Sequence, residues 1–215
     1  MSRGWFRSHV AGVAPAIALL PGLLDHPLLR PALPRATAAR VLRVWHEREA
    51  FFDVLDRLPQ TFCHLDAFPR NVFVRNGESG AVQIVAIDWE FVGVSAVGAE
   101  LGQLMAGTLL FEEAELETAA ELEEAVVASY LNGLDVAGWR GDPRLVRLGY
   151  ATTLMLNQVF LLLGGVVEGT QDAGFRHYLE EMSGRPYADL LERCALSFDF
   201  LLARADEARD LRSSL

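Results

Sequence analysis

At 215 residues the chain can bury one sizeable core with at most a small appendage. Its net charge of −10, with no basic stripe, excludes nucleic acid as a natural partner and is compatible with a cationic small molecule. Hydrophobic residues reach 51% and the mean hydropathy is +0.20, which points to an extended helical core or to a surface meant for another domain or subunit.

From Met1 to Leu33 the chain is apolar and cut by Pro15, Pro21, Pro27 and Pro31, with Pro34 just beyond, a pattern of short helices and turns. Residues 1–24 loosely imitate a signal peptide. Pro15 and Pro21 break the apolar run, His9 intrudes and no small-residue cleavage site follows, so a buried N-terminal segment is expected. Thr37–Leu58 reads as a strong helix, because Val41, Leu42, Trp45, Phe52, Leu55 and Leu58 recur near helical spacing, and Pro59 ends it. Thr61–His64 reads as a short strand running into a loop held by Pro69. Val72–Arg75 and Gln83–Ile87 are apolar, β-branched runs around Asn76-Gly77-Glu78-Ser79-Gly80, a hairpin pattern.

Beyond Asp88 the pattern is helical almost to the end. Helices are predicted over Ala99–Leu110, Glu113–Leu131, Pro143–Val166 and Tyr187–Ala208, punctuated by Gly133, Gly138, Gly141 and the Gly164–Gly174 region. The most apolar stretch, Leu154–Val167, is short and interrupted by Asn157 and Gln158, so no membrane span is read there. Cys63 and Cys194 have no metal-ligand spacing and read as reduced core cysteines of a cytoplasmic protein. The expectation is one mainly α (α+β) domain over 1–215: lead-in helices over 1–60, loops and a hairpin over 61–91, and a helical subdomain over 92–215.

The residues that carry chemistry fall between Thr61 and Phe91. His64-x-Asp66 is followed by Asn71 five residues after the aspartate, and Asp88 closes the second apolar run. In a loop, Asp66 can accept a hydrogen bond from a substrate hydroxyl and take its proton, typically worth ~10²–10⁴-fold in rate. Asn71 and Asp88 offer hard oxygen ligands suited to Mg²⁺, and the hairpin between them brings both to the same end of adjacent strands. Taken singly these residues have plain structural readings: Asp66 caps a turn, Asn71 opens a strand, Asp88 closes one, and His64 is a satisfied core histidine. The joint spacing, in agreeing loop and strand contexts, favours the chemical reading.

His64-Leu65-Asp66-Ala67-Phe68-Pro69-Arg70-Asn71 resembles the catalytic loop of the aminoglycoside phosphotransferase and choline kinase family, relatives of the protein kinases. Ile87-Asp88-Trp89-Glu90-Phe91 resembles that family's metal-binding segment. The resemblance implies a protein-kinase-like C-terminal lobe with a small β-hairpin beside the catalytic loop. It implies O-phosphotransfer with Mg²⁺ and ATP (or GTP) to a small hydroxyl-bearing acceptor, cationic if the acidic balance counts; the charge and the interrupted apolar runs leave no expectation of a nucleic-acid or membrane partner. Asp66 would be the catalytic base, Asn71 and Asp88 the metal ligands, and His64 a brace behind the loop. Glu100, in Gly98-Ala99-Glu100-Leu101, stands where the family often has a second acidic residue, and either braces the metal loop or merely starts a helix. Glu90 either reaches a second magnesium or a basic substrate, or stays on the surface. The acidic run Glu112, Glu113, Glu115, Glu117, Glu121, Glu123 and Glu124 reads as a solvated helix face ahead of a cation-attracting one.

One part of the family pattern has no counterpart. All nineteen basic residues are arginine, and no glycine-rich loop or β-sheet signal precedes residue 61. The N-terminal lobe, with its phosphate-covering loop and phosphate-gripping lysine, is therefore expected to be absent. The surface it would cover is expected to self-associate or to take a complementing N-terminal lobe, and phosphate transfer by the chain as it stands is expected to be slow or nil. The alternative is a truncated, non-catalytic kinase-like module that binds a ligand or partner.

Overall fold

The computed structural model describes residues 3–77, 82–110 and 115–215. Three helices come first: α1 (Arg3–Ala11), α2 (Ala14–Leu23) and α3 (Arg35–Arg57). Pro15 sits in the first turn of α2, where a missing N–H costs nothing, but Pro21 lies inside its last turn. The break expected at Pro21 falls two residues later, since α2 runs through it and ends at Leu23. Helix α3 buries Val41, Val44, Phe51 and Phe52, and ends where Leu58, preceding a proline, turns extended at ψ 155°. The N-terminal segment is less buried than expected. Val10 and Leu20 reach the core, yet only 17% of Phe6–Leu23 is buried, since α2 is apolar nearly all round and packs mainly on one neighbour.

Two small antiparallel pairs follow. Strand β1 (Gln60–Cys63) pairs with a strand at Gly93–Ala96, and β2 (Val72–Asn76) pairs with β3 (Val82–Ala86); the Gly93–Ala96 strand is β4. The expectation of continuous helix after Asp88 is corrected here. Four residues carry too little pattern to show as a strand, and β4 is held by its partner and by the Val97 N–H donating to the Pro59 carbonyl at 2.8 Å. In the hairpin Val72 faces Ala86 and Asn76 faces Val82. Most of its expected turn, residues 78–80, lies outside the described residues. The Ile87 N–H donates to the Asn71 carbonyl at 3.0 Å, so the ladder carries on to the end where Asn71 and Asp88 stand.

The rest is helical: α4 (Ala99–Leu110), α5 (Ala119–Val136), α6 (Pro143–Gln171), α7 (Ala173–Ser183) and α8 (Tyr187–Ser214). Helix α6 is apolar around most of its circumference and forms the spine, with α4 and α8 packed against it. It is long and apolar enough to cross a membrane, and 78% of that span is buried inside the fold, the place of a core helix. The breaks expected near Gly164 do not occur. At Gly169 an added Cβ would stand 2.0 Å from the Tyr187 hydroxyl, so this glycine serves a close approach of α8 rather than a turn. Helix α7, which the pattern did not announce, starts where the Asp172 carboxylate accepts the N–H groups of Gly174 and Phe175. Helix α5 begins at Ala119, later than expected, after a 3-10 turn over Leu116–Thr118; residues 111–114 lie outside the described residues. Glu123 departs from the solvated face expected of the acidic run: it is buried and paired with Arg147 at 3.1 Å and with Arg204.

Candidate active site

The loop that leaves β1 is held in a strained shape. Leu65 has φ +63°, a left-handed conformation that costs a branched side chain about 1–3 kcal/mol and persists only when its surroundings impose it. The restraint is the Glu100 carboxylate, which accepts the N–H of His64 at 2.5 Å and of Leu65 at 3.1 Å. Glu100 gets there because α4 begins hard against α6. Gly98, at φ +85°, has the Val146 carbonyl where a Cβ would be, 2.1 Å away. Glu100 thus sits on the backbone of the loop that carries Asp66, rather than on the segment around Asp88. Burial, working against these hydrogen bonds, raises its carboxyl above the ordinary value. Burial and then the Glu100 charge push the neighbouring Cys63 thiol up to about 12, so Cys63 is no nucleophile.

His64 is buried behind the same loop. Its Nδ1 accepts the Asp66 N–H at 3.3 Å and its Nε2 lies 2.7 Å from the Ile87 carbonyl, which assigns the proton to Nε2. One ring therefore ties the Asp66 loop to the strand end that precedes Asp88. The Trp89 ring lies 4.4 Å from the imidazole, and its indole N–H donates to the Ala86 carbonyl at 2.9 Å. Asn71, on the 3-10 turn Pro69–Asn71, donates from Nδ2 to both the Asp66 carbonyl (2.9 Å) and the Asp66 carboxylate (3.0 Å). That leaves its own carbonyl oxygen to face another partner. Phe68 fixes the far side of the loop by lying on Gly107 of α4, where an added Cβ would meet the ring at 2.0 Å.

Asp88 is exposed and left-handed (φ 62°, ψ 60°) at the head of the turn Trp89–Phe91. Its charge reaches Asp66. Burial first, and then the like charge of Asp88, raises the Asp66 carboxyl above its ordinary value, against the opposing pull of His64 and of the Asn71 donor. Four residues found by spacing, His64, Asp66, Asn71 and Asp88, therefore come together with Glu100 behind them. Glu90 stands exposed on the Trp89–Phe91 turn, outside the hydrogen bonds that join the others.

Among the described residues no three His, Cys, Asp or Glu side chains cluster to hold a metal by themselves. The donors on offer are one amide oxygen and one carboxylate, both hard. Such a pair suits Mg²⁺, which keeps waters and takes further oxygens from a phosphate substrate, and does not suit a thiophilic ion. Sequence reading missed the target of Glu100 and the role of Phe68. The left-handed leucine and the paired backbone N–H groups depend on α4 returning to the loop, which no local spacing encodes.

A family model described as the phosphotransferase enzyme family matches residues 14–141, more than half of the chain. That stretch holds His64, Asp66, Asn71, Asp88 and Glu100. No curated protein and no solved structure matches the chain.

Proposed function

The chain belongs to the phosphotransferase enzyme family, and from that premise we propose that it carries the catalytic half of an ATP- and Mg²⁺-dependent O-phosphotransferase with a protein-kinase-like C-terminal lobe. The observation that carries the reading is the hydrogen-bonded pair Asp66–Asn71 facing the charge of Asp88. In the proposed step the hydroxyl oxygen of a small acceptor attacks the γ-phosphorus of ATP. The bond from that phosphorus to the bridging oxygen breaks, ADP departs, and the hydroxyl proton passes to Asp66. Asn71 and Asp88 would hold Mg²⁺, whose contribution is to neutralise phosphate charge. His64 and Glu100 are positioning residues that hold the loop in its strained shape. The raised Asp66 carboxyl makes it a better proton acceptor than an ordinary aspartate, provided the pH keeps it ionised.

Transfer is slow in this reading, because catalysis of this kind is mostly positioning and charge stabilisation and the chain contains no lysine to grip the phosphates. The same fact favours a second reading, a kinase-like module that binds nucleotide without transferring phosphate. A panel of hydroxyl acceptors incubated with ATP and Mg²⁺ and followed by ³¹P NMR separates the two. The first reading expects slow phosphoester formation, reduced about 10²-fold or more by Asp66→Asn. Product that forms equally well with Asp66→Asn would refute it.

A further inference from the structure

Helix α7 carries an apolar stripe that the fold leaves uncovered. Phe175, Leu179 and Met182 recur at helical spacing on one face, yet no residue of α7 is buried. Polar contacts anchor the helix: besides its Asp172 cap, Arg176 donates to the Gly169 carbonyl at 2.7 Å and Glu180 accepts the Tyr187 N–H at 2.8 Å. All three apolar side chains line a cavity of about 640 Å³, a size within the ~300–1,000 Å³ range of small-molecule sites. The other helices around it add apolar walls of their own, with Leu109 from α4, Leu162 from α6 and Leu190 from α8. Arg193 lines it as well and is paired with Glu115 at 3.8 Å. The cavity adjoins the candidate active site through Arg70, which directly precedes Asn71, and through Ala106, beside the glycine on which Phe68 of the Asp66 loop rests.

We infer that this cavity seats the body of the phosphoryl acceptor, that this body is a hydrocarbon ring or chain, and that α7 lies over it as a cover. The ligand's fate as acceptor rests on the proposed phosphotransfer, and its apolar character on the side chains that four helices place on the walls. A hydrocarbon body gains from every methylene that leaves water. It would also bury the faces of Phe175 and Leu179, which α7's own packing leaves half-buried. The hydroxyl is then left to reach the Arg70 end, next to the loop of Asp66 and Asn71.

The test is binding without nucleotide, so that an inactive chain does not count against it. Ligand-observed NMR compares cyclohexanol with myo-inositol, the same carbon ring with a hydroxyl on every carbon, and then 1-butanol, 1-hexanol and 1-octanol. Cyclohexanol should bind at least about tenfold more tightly than inositol, whose further hydroxyls would have to leave water. The alkanols should gain up to about fourfold in affinity per methylene. 1-Octanol should also slow amide hydrogen exchange across residues 175–182, increasingly with its concentration. Gly165 lines the cavity and has nothing within 4 Å of an added Cβ, so Gly165→Phe should fill it, keep the fold and weaken 1-octanol at least about tenfold. Inositol bound more tightly than cyclohexanol, alkanols without chain-length dependence, or exchange in α7 that 1-octanol leaves untouched would each overturn the inference on the wild-type chain alone. A folded Gly165→Phe that binds 1-octanol undiminished would overturn it too. Phosphoryl transfer that Gly165→Phe leaves intact would uphold the proposed function and overturn this inference. Alkanol binding that meets every expectation, with no phosphoester from any acceptor in the ³¹P assay, would keep the ligand site and sink the proposed transfer.

Discussion

Asp66 meets two opposing demands, and both are measurable. To take a proton it must be ionised, yet burial and the charge of Asp88 disfavour the ionised form. A carboxyl raised in the folded state contributes stability at low pH that is lost as the pH climbs through its folded value. Asp66→Asn removes that loss. The variant is expected to melt at or slightly above the wild type at neutral pH, with the difference vanishing as the pH falls to the ordinary aspartate value of 3.8. Melting curves across that range check the sign, and an Asn variant that is less stable at neutral pH would contradict it. Transfer by the wild type is expected to fall on acidification over the same window, because a protonated Asp66 accepts nothing. Glu100 should behave differently. Glu100→Ala leaves two backbone N–H groups without their acceptor, costing about 2–6 kcal/mol at the usual 1–3 for each buried group, or about 4–24 °C in Tm for a chain of this size. Glu100→Gln, which keeps an acceptor oxygen and sheds a costly buried charge, should lose much less.

Legibility at this scale follows distance along the chain. His64, Asp66 and Asn71 lie within eight consecutive positions, and Asp88 is brought to them by a hairpin whose strands are themselves apolar runs. Their grouping is therefore legible in the amino-acid order alone. Glu100 is 36 residues from His64, and its contact depends on where α4 starts, so spacing leaves its role open between two readings.

At the scale of elements, the helices with long apolar periods are readable and the pieces held by their neighbours are not. Strand β4 exists because β1 needs a partner, and α7 because Asp172 and Gly184 cap a segment whose glycines suggest a loop. Glycine misleads because in this fold it often marks close packing. Gly107 is the case that matters for function, since its missing side chain seats Phe68 and with it the Asp66 loop. Gly107→Ala gains about 1 kcal/mol of helix propensity but forces the ring aside. We expect near-wild-type or higher stability combined with about a 10²-fold loss of transfer, the scale on which a displacement near 1 Å acts. Melting temperature and rate measured on the same variant decide it. A parallel loss of both would mean that Gly107 serves packing alone.

For the whole molecule, the apolar excess has a location. Phe62, Val74 and Ile84 are each at least 65% exposed, and Val74 and Ile84 face each other across the hairpin. An exposed apolar surface of this kind next to the candidate site favours association. The chain is expected to pair with a second copy through the hairpin, seen as a concentration-dependent sedimentation coefficient that Val74→Glu with Ile84→Lys abolishes. A wild-type chain that stays monomeric at every concentration would refute this.

Whether Asn71 and Asp88 hold the magnesium of a nucleotide against Asp66 is tested most directly by calorimetric Mg²⁺ titration with a non-hydrolysable ATP analogue present. Mg²⁺ binding is expected to depend on nucleotide, to be weakened at least about tenfold, or ~1.4 kcal/mol, by Asp88→Ala and to be left unchanged by Glu90→Ala. Isotherms that Asp88→Ala does not alter would contradict it.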